Sequence, residues 1–250
     1  MLQLGSVAYA NARPLLEGLG EEPGVRLTLA TPAVLEDRLA AGDLDAALVP
    51  SIAWFRNPAR VLVPEGCIAS RGEVESVALF GRRRPGPGGR VLLDESSRTS
   101  SALARILLEG PLGAPGVRYD TCPPGVDPRE VDADAVLLIG DRALVLDRAG
   151  LEVTDLGIAW TSWTGLPFVW AAWIARDEAA AEAAAPVLRA ARQRGRERRE
   201  AIVAREAERL GLERDRMERY LGERIRYDHG EEEQRGLERY REECGRAGEI

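Results

Sequence analysis

Lysine is absent from this chain: all 34 basic residues are arginine. No amine side chain is therefore available to form a Schiff base with a carbonyl substrate. Histidine occurs once, at His229, inside the charged run RYDHGEEE. That excludes a multi-histidine metal site and argues against a Ser-His-Asp triad; a surface histidine is the expectation there. Cys67, Cys122 and Cys244 are odd in number and far apart, which argues against a disulfide framework and for a reducing compartment. No apolar run approaches the ~20 residues of a membrane span. The N-terminus begins at once with the strand-like LQLGSVAYA and no basic leader, so the expectation is a cytoplasmic protein with no membrane partner. A formal charge of −7 argues against nucleic acid as a partner.

What is present is the material of one large or two small α/β domains: 250 residues, 45% of them hydrophobic. The most informative stretch is Arg90–Gly110, RVLLDESSRTSSALARILLEG. Val91-Leu92-Leu93 reads as a buried strand, and Ala102, Leu103, Ile106 and Leu107 recur at helical spacing. Between them lies a turn crowded with Ser96, Ser97, Thr99, Ser100 and Ser101 around Arg98. A single helix cap needs one hydroxyl. The surplus points to an anion site, in which helix N-terminal amides and hydroxyls hold a carboxylate or phosphate.

The rest of the chain alternates strand and helix. Leu2–Ala8, Val25–Ala30, Asp45–Val49, Val61–Val63, Val117–Tyr119, Ala135–Ile139, Leu151–Leu156 and Phe168–Ala175 read as strands. Cys67–Arg71 and Ser76–Phe80 read as paired segments. Asn11 and Pro50-Ser51 fall just past strand ends, where ligands of open α/β sheets bind, although each also suits a helix start. Gly140 would admit close backbone approach, and Asp141 reads equally as a helix cap or a ligand contact. Trp160 and Trp163 suit a stiff aromatic turn in the core. After Arg176 the sequence becomes helical: one long stretch over Ala179–Leu210, then Leu212–Leu221 and Glu231–Arg246. The Pro/Gly break RRRPGPGG at 82–89 and the late strand at 168–175 predict two lobes. The larger comprises 1–84 with 168–250, the smaller 85–167, with a ligand cleft between them.

The motifs resemble those of the chorismate dehydratase family of the futalosine route to menaquinone. The resemblance rests on Val7-Ala-Tyr-Ala-Asn11, Gly42-Asp-Leu-Asp45 with Val49-Pro-Ser51, and Ser70-Arg-Gly-Glu-Val-Glu-Ser-Val77. It rests also on Ser96-Ser-Arg-Thr-Ser100, Leu138-Ile-Gly-Asp141, and Asp155-Leu-Gly157 with Trp163-Thr-Gly-Leu-Pro-Phe168. It implies a two-lobed α/β fold of the type II periplasmic-binding-protein kind. The implied reaction is dehydration of chorismate, a small dicarboxylate, to 3-[(1-carboxyvinyl)oxy]benzoate, with no metal or organic cofactor. Catalytic positions of the family fall on Asn11 and Ser76. Substrate contacts are expected from Ser51, Ser97, Arg98, Thr99, Ser100, Gly140 and Asp141.

Loss of one ring proton and one hydroxyl creates an aromatic ring, so orientation and exclusion of water can supply much of the catalysis. The base is either the substrate's own enolpyruvyl carboxylate or a protein acid such as Asp141. Two alternatives share the fold: a solute-binding protein for a small carboxylate, and 1,4-dihydroxy-6-naphthoate synthase. The latter is expected to need a histidine in the second lobe, and the chain has none before His229.

Overall fold

In the computed structural model, which describes residues 1–250, the short apolar runs assemble into two five-stranded mixed sheets. The chain opens with β1 (Leu2–Ser6), a helical turn at Ala10–Ala12, α1 (Arg13–Leu16), β2 (Val25–Leu29), α2 (Pro32–Ala40), β3 (Ala46–Pro50), α3 (Ile52–Phe55) and β4 (Val61–Ser70). It then crosses to build β5 (Val77–Gly81), β6 (Arg90–Asp94), α4 (Arg98–Glu109), β7 (Arg118–Cys122), β8 (Ala135–Ile139), α5 (Gly140–Val145), β9 (Glu152–Asp155) and α6 (Leu156–Thr164). It returns as β10 (Phe168–Ala175). The remainder is α7 (Glu178–Glu197), α8 (Arg199–Leu210), α9 (Arg214–Arg219), a π-helical turn at Tyr220–Arg224, and α10 (Glu231–Ala247).

The first sheet has the order β2-β1-β3-β10-β4 and the second β7-β6-β8-β5-β9. Within them β1 runs parallel to β2 and β3, and β6 runs parallel to β7 and β8. Burial explains the order. AALVP of β3 and AVLLI of β8 are buried at every position, as strands covered on both faces must be. RYDTC of β7 is largely exposed and forms an edge. The main core runs through both lobes, and a smaller cluster of Ala78, Phe80, Leu92, Val136 and Leu138 fills the other face of the second sheet.

Four local expectations are corrected. The first crossing lies at residues 71–76, ahead of the expected boundary at 84. Val77–Gly81 already pairs with β8 and β9, and the Pro/Gly run 82–89 is a loop within the second lobe. For the same reason Cys67–Arg71 and Ser76–Phe80 do not pair; they belong to different sheets. The aromatic stretch 156–164 is a helix rather than a turn. Asp155 caps it by accepting from the Gly157 and Ile158 amides at 2.9 and 3.0 Å, and Gly165 ends it in the left-handed conformation. The long C-terminal helix breaks into α7 and α8 at Arg198.

Tyr240 of α10 shows why the helical tail belongs to the site. Its ring packs against Phe168 at 4.7 Å and Trp160 at 6.1 Å, joining β10 and α6. Its hydroxyl donates to the Thr99 carbonyl at 3.0 Å, so the tail grips the start of α4 in the other lobe.

Candidate functional site

Both sheets aim the carboxyl ends of their parallel strands at one cleft. Asn11 follows β1, Ser51 follows β3, Ser97–Ser100 follow β6 and Gly140 follows β8. A cavity of about 60 Å³ lies between the lobes. Its polar wall is Tyr9, Asn11, Ser97, Thr99, Ser100 and the Gly140 backbone; its apolar wall includes Ile68 and Trp170. No charged side chain lines it. Ligand sites for small organic molecules occupy about 300–1,000 Å³, so this is a closed cleft that must open to admit one.

The closure is held by named contacts. Thr99 Oγ1 accepts from the Ile52 amide of α3 at 3.1 Å. The hydroxyl hydrogen of Thr99 stays free to donate. The Tyr9 ring packs against Gly140, lying about 3.0 Å from where a β-carbon there would sit. With φ at +62°, Gly140 is a position for glycine on two counts, and the close approach is by Tyr9.

The hydroxyl-rich turn divides its labour. Asp94 accepts from the Ser96 amide at 2.8 Å and from the Ser96 hydroxyl at 2.5 Å, so Ser96 serves the turn itself. Ser97 stands at the helix N-cap without using its hydroxyl as a cap. Ser97, Thr99 and Ser100 therefore present hydroxyls beside the unpaired first amides of a twelve-residue helix.

Two expected contacts lie elsewhere. Arg98 does not line the cavity. Glu36 is 3% exposed and needs a counter-charge, and Arg98 Nη1 meets it at 2.5 Å across the lobes. Asp141 also stays out of the wall. Its Oδ1 accepts from the Ala10 amide at 2.8 Å and its Oδ2 from Arg209 of α8 at 2.6 Å. With both oxygens engaged, it is poorly placed to act as a base.

Asn11, Ser51 and Ser76 share one feature: each is buried, and Asn11 Oδ1, Ser51 Oγ and Ser76 Oγ have no hydrogen-bond partner. Buried polar atoms are usually paired; of the unpaired ones in this chain, these three lie beside strand ends that face the cleft. Asn11 lines the closed cavity; Ser51 and Ser76 stand outside its wall. Tyr220, in the π-helical turn, joins this group. Burial pushes its phenol pKa up, and the neighbouring Ser76 and Asn11 side chains pull it back. No hydrogen bond joins the phenol to either, since Ser76 Oγ and Asn11 Oδ1 are both without a partner. Sequence reasoning missed Tyr220 because it lies far along the chain from Ser76, in a segment that reads only as a short helix. The motifs around Asn11 and Phe168 did contain Tyr9 and adjoin Trp170. No group of three or more His, Cys, Asp or Glu side chains is arranged to hold a metal ion.

A two-lobed α/β chain with its polar groups turned into a closed cleft is a binding-protein architecture, and solved structures agree. A crystallised protein of Archaeoglobus fulgidus superposes with a TM-score of 0.80 at 18% identity, covering 100% of this chain and 98% of that one. The periplasmic aliphatic sulphonate binding protein of Escherichia coli superposes with a TM-score of 0.68 at 18% identity, covering 100% and 88%. These likenesses establish the fold. The sequence goes further: the model of a menaquinone biosynthesis family matches residues 2–246. The chain is also 35% identical to the chorismate dehydratase of Thermus thermophilus over 97% of its own length and 94% of that protein's. The chain belongs to the menaquinone biosynthesis family.

Proposed function

We propose that the protein dehydrates chorismate to 3-[(1-carboxyvinyl)oxy]benzoate in menaquinone biosynthesis. The observation that carries the reading is the end-to-end similarity to a chorismate dehydratase, in a chain whose cleft is lined by Asn11, with its unpaired Oδ1, and by the hydroxyl-rich turn before α4. The uncharged wall suits the chemistry. Chorismate carries two carboxylates, and the hydroxyls of Ser97, Thr99 and Ser100 with the first amides of α4 supply donors for one of them.

The elimination breaks one ring C–H bond and the ring C–O bond. The C–H electron pair becomes the new ring double bond, and hydroxide leaves with a proton as water. No carboxylate lines the cavity, and Asp141 is engaged at both oxygens. The enolpyruvyl carboxylate of the substrate itself is thus the base in this proposal. Asn11 and Ser76 orient it and donate to the departing hydroxyl. Closure of the lobes excludes water and fixes the reacting geometry.

The test is incubation with chorismate, following loss of its ring diene and appearance of the aromatic enol ether. Turnover should fall about 10²–10³-fold in Ser76→Ala and in Asn11→Ala, with chorismate still bound. Chorismate that binds and is recovered unchanged from the folded wild-type protein would refute the enzyme reading.

A further inference from the structure

Glu75 is the only non-glycine residue with a positive φ, +64°. A residue with a β-carbon is uncommon in that conformation. It persists where the surroundings over-determine it, and such residues gather at functional sites. Here the surroundings hold every polar group of Glu75. Its amide donates to Asp155 at 2.8 Å, and its carbonyl accepts from Arg148 at 3.0 Å. Its carboxylate, in a residue 8% exposed, is gripped by Arg216 at 2.7 Å and Arg224 at 3.1 Å. Arg216 also donates to the Leu144 carbonyl of α5 at 2.7 Å.

The geometry has a direction. Glu75 sits in the crossing between the two sheets, immediately before Ser76. Ser76 is fully buried, its carbonyl accepts from the Gly140 amide at 2.8 Å, and its hydroxyl has no partner. A relaxed, negative φ at residue 75 would swing Ser76 off the Gly140 amide and turn its hydroxyl away. Arg224 closes the π-helical turn that begins at the buried Tyr220. One carboxylate thereby ties the left-handed turn before Ser76 to the tail segment behind it.

We propose that Glu75 is a positioning residue for Ser76, its carboxylate clamped by Arg216 and Arg224 so that the Ser76 hydroxyl is held at the reacting end of the substrate. The inference rests on the reading of Ser76 as catalytic.

A double-mutant cycle of wild type, Glu75→Gln, Ser76→Ala and the double variant, assayed with chorismate, tests it. Glu75→Gln should lower kcat by about 10- to 100-fold, the scale of a misplaced reacting group, with KM moved by about threefold or less. In the Ser76→Ala background the same change should cost nothing further, because it acts through the missing hydroxyl. Should Glu75→Gln fold poorly, Arg224→Gln, which leaves Arg216 in place, is carried through the same cycle with the same expectation of non-additivity. A full multiplicative loss on top of a slow Ser76→Ala, or wild-type kcat in the folded single variant, would overturn the inference. Full turnover by Ser76→Ala would overturn the reading of Ser76 and this inference with it.

Discussion

Replacing Thr99 by valine separates closure of the cleft from chemistry within it. Valine nearly matches threonine in shape and lacks the hydroxyl. In the closed form Thr99 Oγ1 is the acceptor for the Ile52 amide at 3.1 Å, and Ile52 is fully buried. Ile52 is the first residue of a short helix whose N-cap, Ser51, offers no side-chain acceptor. Without Thr99 the amide is left buried and unpaired, at a cost of about 1–3 kcal/mol. Water can reach that amide once the lobes part, so the cost falls on the closed state. At about 1.4 kcal/mol per decade, the closed population relative to the open one should drop roughly 5- to 150-fold. Substrate must supply that difference on binding. KM should rise by up to that factor, and further by loss of the hydroxyl's own contact with the substrate carboxylate, while kcat changes little as long as the saturated enzyme stays closed. Thr99→Ser keeps the acceptor and should stay near wild type. Steady-state kinetics with small-angle scattering of the unliganded protein would check both arms, the valine variant showing the larger radius of gyration. An unchanged KM together with unchanged scattering would refute the assignment of Thr99 as a latch.

Three further outcomes follow from local geometry. Gly195→Ala in α7 would place its β-carbon 1.8 Å from the Pro14 carbonyl oxygen. The helix-propensity gain of about 1 kcal/mol is outweighed by overpacking of about 3 kcal/mol. The net loss of about 2 kcal/mol should lower Tm by roughly 4–8 °C in a thermal melt, and an unchanged Tm would show that α1 and α7 are not in that contact. His229 is half-buried rather than a free surface group, and its Nε2 has no hydrogen-bond partner. Burial pushes its pKa below the ordinary 6.5. The unfolded chain then takes up the proton first as pH falls, so this contribution to stability is full above pH 6.5 and is lost as pH drops through the folded value. His229→Gln should therefore flatten the dependence of Tm on pH between about 7.5 and 5.5, and an identical slope in the variant would sink the argument. The same variant should keep wild-type turnover at neutral pH, because His229 does not line the cleft cavity; a loss of about a hundredfold, the scale of acid–base catalysis, would contradict it.

Local pattern determined a large part of this protein. The strand Val91–Leu93, the serine-rich turn and the helix after it are written in consecutive residues, because burial period and helix capping act over a few positions. The lack of lysine and the single histidine limit the chemistry whatever the fold. The helix at 156–164 was also encoded, in Asp155 and Gly165, but β-branched and aromatic residues between those caps masked it. What local pattern did not contain were partners far along the chain. Arg98 went to Glu36 and Asp141 to Ala10 and Arg209, because buried charges and amides take the nearest complement that the fold supplies. The same long-range pairing clamped Glu75 with Arg216 and Arg224, residues of the C-terminal tail whose local sequence names no such partner. Which strand lies in which sheet, and hence where the chain crosses between lobes, was likewise decided by tertiary pairing. Val77–Gly81 satisfies its backbone against β8 and β9, and nothing in those five residues names those partners.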